Sequence, residues 1–413
     1  MDDQKIAIIG AGAAGLTAAV TLRELGYRNV RVFERSNRVG GKCCSVTLKG
    51  RCYELGAGII SQDNTEVMRL VDQLQIPLER LTGQGSTIVD GQTGAQLPKR
   101  TLRETCILLR ELVTYGYLLL RFRRLGEPGF RNIDPALTVP FADFARTHHI
   151  THLADVLALY FTGFGYDYFE RVSAAYVLKY YSWPTVMAFL KRRIYRLPDG
   201  IQHLWTAVAA DLDIRYKTNI KKIERTGDGV HLFHESGSEQ FDALIIASPL
   251  DEALGYLDAT PEEDVLFRAI RYVDYCTIAC SVQGLPKGDG YVPSNFIPRQ
   301  AGHPLFWYHR HHDTDIYTFY VLADGQTDAQ LVKTTTDLVK KMGGTMTTTH
   351  SITHWKYFPH LSGKDLRAGV MDRIEALQGN RHTYFVGEFF NFSTVGRTAE
   401  YAADLIRTQF PRS

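Results

Sequence analysis

The chain reads KIAIIGAGAAGLTAAVTLRELGYRNVRVFE over residues 5–34. Residues 5–9 form a short apolar run that is typical of a strand buried on both faces. The glycine-rich run 10–15 follows at once and has the spacing GxGxxG. Residues 16–25 then show helical spacing of apolar side chains, and Gly26 is well placed to end that helix. Strand, glycine turn, helix and a second strand in this order predict a dinucleotide-binding βαβ unit.

The glycines and the acid after the second strand (30–33) have separate physical roles. Gly10 permits the tight turn, Gly12 lets a pyrophosphate approach the backbone, and Gly15 lets the helix pack closely on the strand. The free amides at the helix start bind negative phosphates. Glu34 stands about where a ribose-binding acid belongs, about 20 residues after the glycine turn. The predicted phosphate-binding residues are Gly10, Ala11, Gly12, Ala13, Ala14 and Gly15.

The next segment favours FAD over NAD. Residues 34–42, ERSNRVGGK, resemble the E-x(5)-GG-[RK] run of the amine-oxidase-like flavoproteins, where it lies along the pyrophosphate and the ribityl chain. Residues 54–58, ELGAG, resemble the turn that lies beside the flavin ring in the same proteins. A glycine-rich turn or a solvated basic loop would explain either run alone, but both in order favour FAD. This resemblance assigns cofactor contacts to Arg35, Gly41, Lys42, Gly56, Ala57 and Gly58.

A distant segment is predicted to return the chain to the cofactor. Residues 219–223, 229–232 and 241–249 have the pattern of a strand, a hairpin and a buried strand. We expect the backbone near Ile220 to lie against the adenine, and Ser248 to lie at the cofactor at the end of the buried strand.

The last cofactor segment lies near the C-terminus. Residues 383–386 are predicted to form a strand, and a helix follows from residue 394 to about residue 410. In the resembled flavoproteins the start of that helix points its amides at the flavin edge where negative charge develops on reduction. No cysteine occurs at 389–395, where covalent amine oxidases attach their flavin, so non-covalent FAD is predicted. The expected contacts here are Gly387, Glu388, Thr394 and Val395.

The predicted fold class is α/β, with a Rossmann-type FAD-binding domain of the amine-oxidase-like kind, a mixed-sheet substrate domain and a helical cap domain. A chain of 413 residues is long enough for two or three domains. The predicted boundaries are 1–95, 193–250 and 375–413 for the FAD-binding domain, 96–192 for the helical domain, and 251–374 for the substrate-binding domain.

The segment 101–124 is predicted to form a long helix, and its apolar stripe has two interpretations. The stripe consists of Leu102, Cys106, Leu109, Val113, Tyr117 and Leu120. The basic cluster after it consists of Arg121, Arg123 and Arg124. One interpretation is a membrane-surface helix that makes transient contact with lipid and recruits a lipid substrate. The other, which we favour from sequence, is a helix that packs on its neighbours and has a cationic C-terminus.

Composition excludes several other classes of protein. The net charge of +2 gives no sign of a nucleic-acid partner. Neither a secretory signal nor an apolar stretch of membrane-spanning length is found, so we expect a cytoplasmic protein. The six cysteines lack paired metal-ligand spacing and are expected to be reduced thiols. Adjacent histidines at 148–149 and 311–312 point apart, so no metal is expected. The sequence carries no signal for an oligomeric state.

Residues 159–169 are unusually aromatic, and further rings follow at Tyr176, Tyr180, Tyr181, Trp183 and Phe189. A tunnel lined by these rings would suit a long apolar substrate and stabilise a cationic intermediate. The alternative is an ordinary aromatic core. His354 and His360 flank an aromatic run near the last cofactor segment, and they either line the flavin face or are satisfied elsewhere.

Nearly the whole chain resembles the bacterial FAD-dependent polyenoic fatty acid isomerases, which convert linoleic acid to a conjugated linoleic acid. The resemblance rests on GGKC (40–43), FTGFGY (161–166), AAYVLKY (174–180), GYVP (290–293), YHR (308–310), YFPH (357–360), Gln378-Gly379 and Gly387-Glu388. It implies a redox-neutral reaction in which a hydride leaves the carbon between two double bonds and returns to another carbon. It also implies that Phe189 wedges the bent acyl chain. The predicted substrate contacts are Phe189, Phe164, Tyr166, Tyr308 and Tyr357.

One departure from that family concerns the substrate's head group. The family anchors the carboxylate on an arginine before a short hairpin, but this chain has Gly83-Gln84-Gly85-Ser86 there. Either another basic residue substitutes, with Arg80, Arg192 and Arg193 as candidates, or the substrate is not a free linoleic-type acid.

Two other functions compete with the isomerase. The first is an FAD-dependent amine oxidase or desaturase that uses oxygen or another acceptor. The second is a binding or scaffold protein stabilised by FAD.

Overall fold

The computed structural model describes residues 3–81, 86–98 and 100–411. Its strands are β1 (Ile6–Ile9), β2 (Val30–Phe33), β3 (Ser45–Leu48), β4 (Arg51–Glu54), β5 (Ile60–Ser61), β6 (Glu79–Arg80), β7 (Thr87–Ile88), β8 (Ile194–Arg196), β9 (Asp213–Arg215), β10 (Ile220–Thr226), β11 (Gly229–His234), β12 (Gly237–Phe241), β13 (Ala243–Ile246), β14 (Arg271–Gln283), β15 (Gly290–Tyr291), β16 (Pro304–Tyr308), β17 (Ile316–Leu322), β18 (Thr345–His360) and β19 (Thr383–Phe385). Its helices are α1 (Ala13–Glu24), α2 (Thr65–Gln73), α3 (Leu102–Arg121), α4 (Phe141–Thr147), α5 (Thr151–Tyr160), α6 (Ala174–Tyr180), α7 (Trp183–Leu190), α8 (Ile201–Ala209), α9 (Leu250–Ala253), α10 (Pro261–Arg268), α11 (Asp328–Lys341), α12 (Gly363–Arg367), α13 (Val370–Glu375), α14 (Glu388–Asn391) and α15 (Val395–Gln409).

The opening sequence forms the centre of a five-stranded parallel sheet with the order β19-β13-β1-β2-β9. All four residues of β1 are buried, as its apolar run predicts. Because the strands are parallel, the loops that begin at Gly10, Glu34 and Ala247 leave from the same edge of the sheet. Ligands of such sheets bind beyond the carboxyl ends of the strands. The predicted α/β Rossmann-type fold is confirmed.

Helix α1 begins at Ala13, three residues before the predicted start, because the turn of the glycine motif passes directly into the helix. Gly26 follows its last turn with φ +102°, as predicted for a helix end. The predicted strand and hairpin form an antiparallel sheet of order β10-β11-β12. The sequence reading missed β12 because its residues are mostly polar and exposed.

The second large sheet is mixed and has six strands in the order β18-β14-β17-β16-β15-β7. Its pairs are antiparallel except for the parallel pair β15–β7. Strands β14, β16 and β17 lie within the segment 251–374, for which a mixed sheet was predicted. Strand β18 was missed because its first half is rich in threonine and largely open to solvent. It pairs along the whole length of β14 and carries Trp355 and Tyr357 to the cofactor side of the sheet.

A hydrophobic core extends across the parallel sheet, the mixed sheet and the helices packed against them. One buried cluster contains Ile8 of β1, Tyr176 of α6 and Tyr275 of β14. A smaller cluster fills the space between the mixed sheet and α11. The three domain boundaries stay a prediction. Within the described residues, no helix is both long and apolar enough to cross a membrane.

Helix α3 packs on its neighbours, as favoured from sequence, but its apolar stripe takes no part in this packing. The stripe is open to solvent along the whole helix, whereas the buried residues are Glu111, Tyr115, Leu118 and Leu119. These buried residues lie on the face opposite the stripe, and hydrogen bonds as well as apolar contacts attach that face to the protein. Glu111 accepts a hydrogen bond of 2.7 Å from the Leu153 amide, and Tyr115 donates to the carbonyl of Tyr181.

Candidate active site

The glycine turn forms a cradle at the edge of the parallel sheet. Gly10 has φ +105°, a left-handed conformation that favours glycine. A Cβ at Gly15 would lie 2.0 Å from the Gly10 carbonyl oxygen, so only glycine lets α1 start this close to β1. Gly12 is the N-cap of α1 and makes no side-chain cap, and it is partly exposed together with Ala13. The first amides of the helix therefore fit an incoming diphosphate.

Glu34 is held in place at the same edge. Its carboxylate accepts hydrogen bonds from the amides of Ala11, at 2.9 Å, and Ser36, at 2.8 Å. A carboxylate can accept about four hydrogen bonds, so Glu34 can also accept one from a ribose hydroxyl. The Glu34 carbonyl accepts a bond of 2.9 Å from Thr218, which places the start of β10 at Ile220 close to this corner.

The basic loop crosses the start of α1. Gly40 forms a parallel bridge with Gly12, and its amide bonds the Ala11 carbonyl at 2.8 Å. This brings Gly41 and Lys42 to the cradle. Arg35 behaves differently, since its guanidinium is mostly exposed and pairs with Glu252 at 3.0 Å.

The Arg35 pair lies beside the loop after β13. There the Ser248 hydroxyl bonds the Tyr256 hydroxyl at 2.7 Å, and Glu252 also pairs with Lys356 at 3.3 Å. The guanidinium of Arg35 is therefore already engaged by this acid. Ser248, in contrast, lies directly at the cradle, where its amide is 3.6 Å from an ideal Cβ on Gly10.

A second group of residues meets around Lys42. The Lys42 ammonium forms an ion pair with Glu388 and lies 5.8 Å from the centre of the Tyr357 ring. A Cβ at Gly56 would lie 1.9 Å from the Lys42 carbonyl oxygen, and the Ala57 amide bonds the same oxygen at 3.1 Å. Residues from four separate segments thus converge where the flavin ring is expected.

Trp355 and Glu54 are members of this region that the sequence reading did not assign. The Trp355 indole donates to the Leu55 carbonyl at 2.6 Å, beside Gly56. Glu54 is buried, accepts a bond of 3.0 Å from the Ile201 amide, and leaves room for only a glycine at position 58. Trp355 belongs to the aromatic run between His354 and His360 but was given no role because its strand was not recognised, whereas Glu54 begins the ELGAG run.

The segment after β19 closes the site. Gly387 precedes the short helix α14, which places Glu388 at its first position beside Lys42. Thr394 caps α15 by accepting a bond of 3.2 Å from the Arg397 amide, so Val395 is the first residue of that helix. Helix α14 was not expected from sequence, but the predicted start of α15 agrees with the structure.

The five predicted substrate residues belong to one network of aromatic rings. We call its central series the aromatic ladder, in which successive ring centres are 5.2 to 5.8 Å apart. Tyr308 joins it from the side, with its ring centre 6.4 Å from that of Phe306. In spatial order, the ladder consists of Phe189, Tyr160, Phe164, Phe306, Tyr320, Tyr275, Tyr357 and Tyr166.

The ladder runs from α7 to the Lys42 region, and its side chains carry no charge. Burial raises the pKa of the phenols of Tyr166, Tyr275 and Tyr320, so these groups stay protonated at physiological pH. No carboxylate or imidazole is part of the series. The arrangement therefore offers apolar surface and ring faces rather than an acid or a base.

The two histidines near the site have different surroundings. His354 bridges Asp274 and Asp328 at 2.8 and 2.9 Å; these bonds outweigh the effect of burial and raise its pKa. It is thus held between β14 and α11. His360 is buried, bonds the Phe358 carbonyl at 2.8 Å, and has its pKa lowered by burial to about 4. It is a satisfied, neutral histidine.

The candidate head-group arginines do not meet at the ladder. Arg80 donates to the carbonyls of Arg192 and Lys191, both at 2.7 Å, just after the end of α7. The side chains of Arg192 and Arg193 are exposed, and Gly83-Gln84-Gly85 lies outside the described residues. Arg196, which was not predicted, donates to the Tyr308 hydroxyl at 3.2 Å. It also pairs with Glu79 at 2.8 Å.

Replacing Lys42 by methionine should weaken FAD binding by about tenfold, since the cation beside Glu388 is removed and that carboxylate is left to repel an anionic cofactor. The measurement is the dissociation constant of FAD, followed by flavin fluorescence. Lys49→Met is the control, because Lys49 also pairs with a carboxylate, Asp315, but its side chain is 52% exposed. Equal affinity in both variants would contradict a role for Lys42 at the cofactor.

Comparisons with known proteins agree with this geometry. The family described as "Flavin containing amine oxidoreductase" matches residues 13–395. The CLA-producing fatty acid isomerase from P. acnes superimposes with a TM-score of 0.93, at 30% identity, over 99% of both chains. Putrescine oxidase bound to putrescine has a TM-score of 0.75 at 17% identity, over 98% of both chains.

A curated relative by sequence points the same way. The FAD-dependent oxidoreductase dpchF of Colletotrichum higginsianum (strain IMI 349063) is 24% identical, over 93% of this chain and 88% of its own. The glycine cradle, the held Glu34 and the Lys42 group fit FAD. The chain belongs to the flavin containing amine oxidoreductase family, and it is an FAD-dependent enzyme.

Proposed function

We propose that this enzyme moves double bonds in a polyunsaturated fatty acid or acyl chain into conjugation. The observation that carries the proposal is the aromatic ladder, which leads from α7 to the Lys42 region without a charged group of its own. A long apolar chain fits such a surface, whereas a cationic amine would need a carboxylate partner in it. The likeness to a fatty acid isomerase at 30% identity supports the same conclusion.

The reaction conserves the redox state of the substrate. A hydride leaves the carbon between two double bonds, which leaves a delocalised pentadienyl cation, and a hydride returns to a different carbon, so that the double bonds become conjugated. Bound FAD would supply the hydride acceptor for the first step and the hydride donor for the second. No oxygen is consumed and no second substrate is needed.

The residues of this chain have the tasks of positioning and shielding. Rings at 5.2 to 5.8 Å spacing are in contact with one another and form a closed apolar wall, which would shield an acyl chain lying against it from water. Their faces carry negative charge density and stabilise a cation nearby. Phe189, at the outer end of the ladder, is the residue to which the likeness to the isomerases gives the task of wedging the bent acyl chain. None of these tasks requires a proton to move.

The test is to mix the holoenzyme with linoleate under nitrogen and to record the ultraviolet and visible spectrum. We expect conjugated-diene absorbance to grow over many turnovers while the oxidised flavin absorbance stays constant. An amine oxidase or a desaturase would instead need oxygen or another acceptor to turn over. Absence of a diene across several polyenoic acids would contradict the proposal, and a flavin spectrum that no lipid perturbs would favour a binding protein.

A further inference from the structure

The exposed stripe of α3 is a continuous apolar surface. We keep the name α3 stripe for Leu102, Cys106, Leu109, Val113, Tyr117 and Leu120. Its members recur every three or four residues, so they lie in one line along about 27 Å of helix. Val113 and Leu120 are 76% and 72% exposed. Scattered exposed apolar residues are normal, but a contiguous apolar line marks a surface that binds a partner.

The stripe continues across a groove to α7. Leu120 and Trp183 line an apolar cavity of about 190 Å³ between the end of α3 and the start of α7. Trp183 and Leu190 are 57% and 68% exposed. They are seven residues apart in α7 and therefore share one face. Phe189, next to Leu190, has its ring centre 5.4 Å from that of Tyr160, so the exposed surface ends at the outer rung of the aromatic ladder.

Arginines border this apolar surface. On the helical wheel Arg103, Arg110 and Arg121 follow one edge of the stripe, and Arg123 and Arg124 come directly after it. All five are exposed, and among the described residues none of them forms an ion pair. Long arginine side chains can reach past an apolar surface to place their charge among phosphates.

The acidic residues of α3 do not neutralise these arginines. Glu111 is buried, with its carboxylate bonded to His152 and to the Leu153 amide. Glu104 is engaged in the capping box with Thr101 at the start of the helix. A second copy of this chain packing on the same face would thus bring arginines together without carboxylates to pair with them. An anionic phospholipid surface supplies both phosphates and an apolar layer.

We propose that the α3 stripe and the exposed face of α7 lie in the surface of an anionic phospholipid membrane, from which an acyl chain passes by Leu190 and Phe189 to the ladder. This deepens the proposed function by giving its substrate a route, but the membrane contact itself does not depend on the reaction. Helix α3 would lie along the membrane surface and would not span the membrane, because its opposite face is packed on the protein.

The test is co-sedimentation of the holoenzyme with phosphatidylcholine vesicles, with and without phosphatidylglycerol. We expect binding only to the anionic vesicles, and we expect it to weaken as salt is added, because the arginine contribution is screened. Val113→Asp should weaken this binding by at least about tenfold, since it places a carboxylate in the middle of the apolar line. Val265→Asp is the matched control, because Val265 is 64% exposed on α10, and its substitution should leave binding unchanged.

Two measurements separate the outcomes. Thermal unfolding should be the same for both variants, because both valines are exposed, and light scattering without vesicles reports the mass of the protein. Equal vesicle binding by both variants would overturn the proposal, and so would a dimer that Val113→Asp dissociates. Vesicle binding without diene formation would leave the membrane contact standing and contradict only the isomerase.

Discussion

A Gly15→Ala enzyme should be purified largely without FAD and should unfold at a lower temperature. The added Cβ would lie 2.0 Å from the Gly10 carbonyl oxygen, which is backbone and cannot turn away. Helix α1 would have to move from the end of β1, and overpacking of this kind costs about 1–3 kcal/mol or more. The first-turn amides would move with the helix, so we expect flavin content to fall at least about tenfold. The flavin-to-protein ratio after purification and a thermal melt measure both effects.

Gly116→Ala is the matched control for this substitution. Gly116 also lies inside a helix, but a Cβ there would meet no atom within 4 Å. Alanine should therefore raise the stability by about 0.5–1 kcal/mol, because it lowers the entropy of the unfolded chain without a clash. Full flavin content in Gly15→Ala would mean that close packing of α1 on β1 is not what positions the cofactor amides.

An Arg225→Met enzyme should lose about 3–5 kcal/mol of unfolding free energy, the usual cost of removing one partner of a buried ion pair. The Arg225 side chain is fully buried and bonds both carboxylate oxygens of Glu263 at 2.7 Å and one of Asp258 at 2.6 Å. The pair joins β10 to α10. Methionine would leave the Glu263 carboxylate buried without its cation. Chemical denaturation measures the loss.

The control for Arg225 lies on the helix that it contacts. Arg268 of α10 also pairs with a carboxylate, Asp264 at 2.9 Å, but the two side chains are 68% and 44% exposed. Arg268→Met should therefore cause no measurable change in stability. A loss in Arg225→Met no larger than that in Arg268→Met would contradict the buried pair as a stabilising link.

The same pair makes stability depend on pH. Burial acts to raise the pKa of Glu263, but its bonds with Arg225 and the Thr260 amide outweigh burial and hold the pKa below the ordinary value of 4.5. The pKa of Asp258 is likewise lowered. Because both folded values are depressed, this stabilisation is present above 4.5 and is lost as the pH falls through the folded values. The stability difference between the wild type and Arg225→Met should thus shrink on acidification.

Local patterns, with the family resemblance that they carry, were sufficient to predict FAD as the cofactor, whereas the individual cofactor contacts stay predictions. The glycine turn, Glu34 and the ERSNRVGGK and ELGAG runs depend on contacts between residues that are close in sequence or follow one another in a βαβ unit. The resemblance to the isomerases also named the five ring residues that the structure brings into one network, and their contact with substrate stays a prediction. What no local pattern contains is the pairing of Lys42 with Glu388, which are 346 residues apart.

Strand β18 illustrates the limit of pattern reading. Its threonine-rich half has neither the apolar alternation of a half-buried strand nor a continuous apolar run, and its strand structure comes from pairing with β14. Trp355 reaches the flavin region only through that pairing. Arg196 was missed for a related reason, since an arginine in a short strand gives no sign of the tyrosine hydroxyl it will contact.

The sequence by itself determined that residues 5–34 form a βαβ unit with a glycine turn, because the apolar strands, the glycine spacing and the helical periodicity are all local patterns. It also determined that 102–121 forms a helix with an apolar stripe. Only the tertiary structure decided which face of that helix is covered. Periodicity defines the faces of a helix, but burial depends on which neighbours pack against it. Here Glu111 and Tyr115 meet α5 and the end of α6, so the stripe is left open.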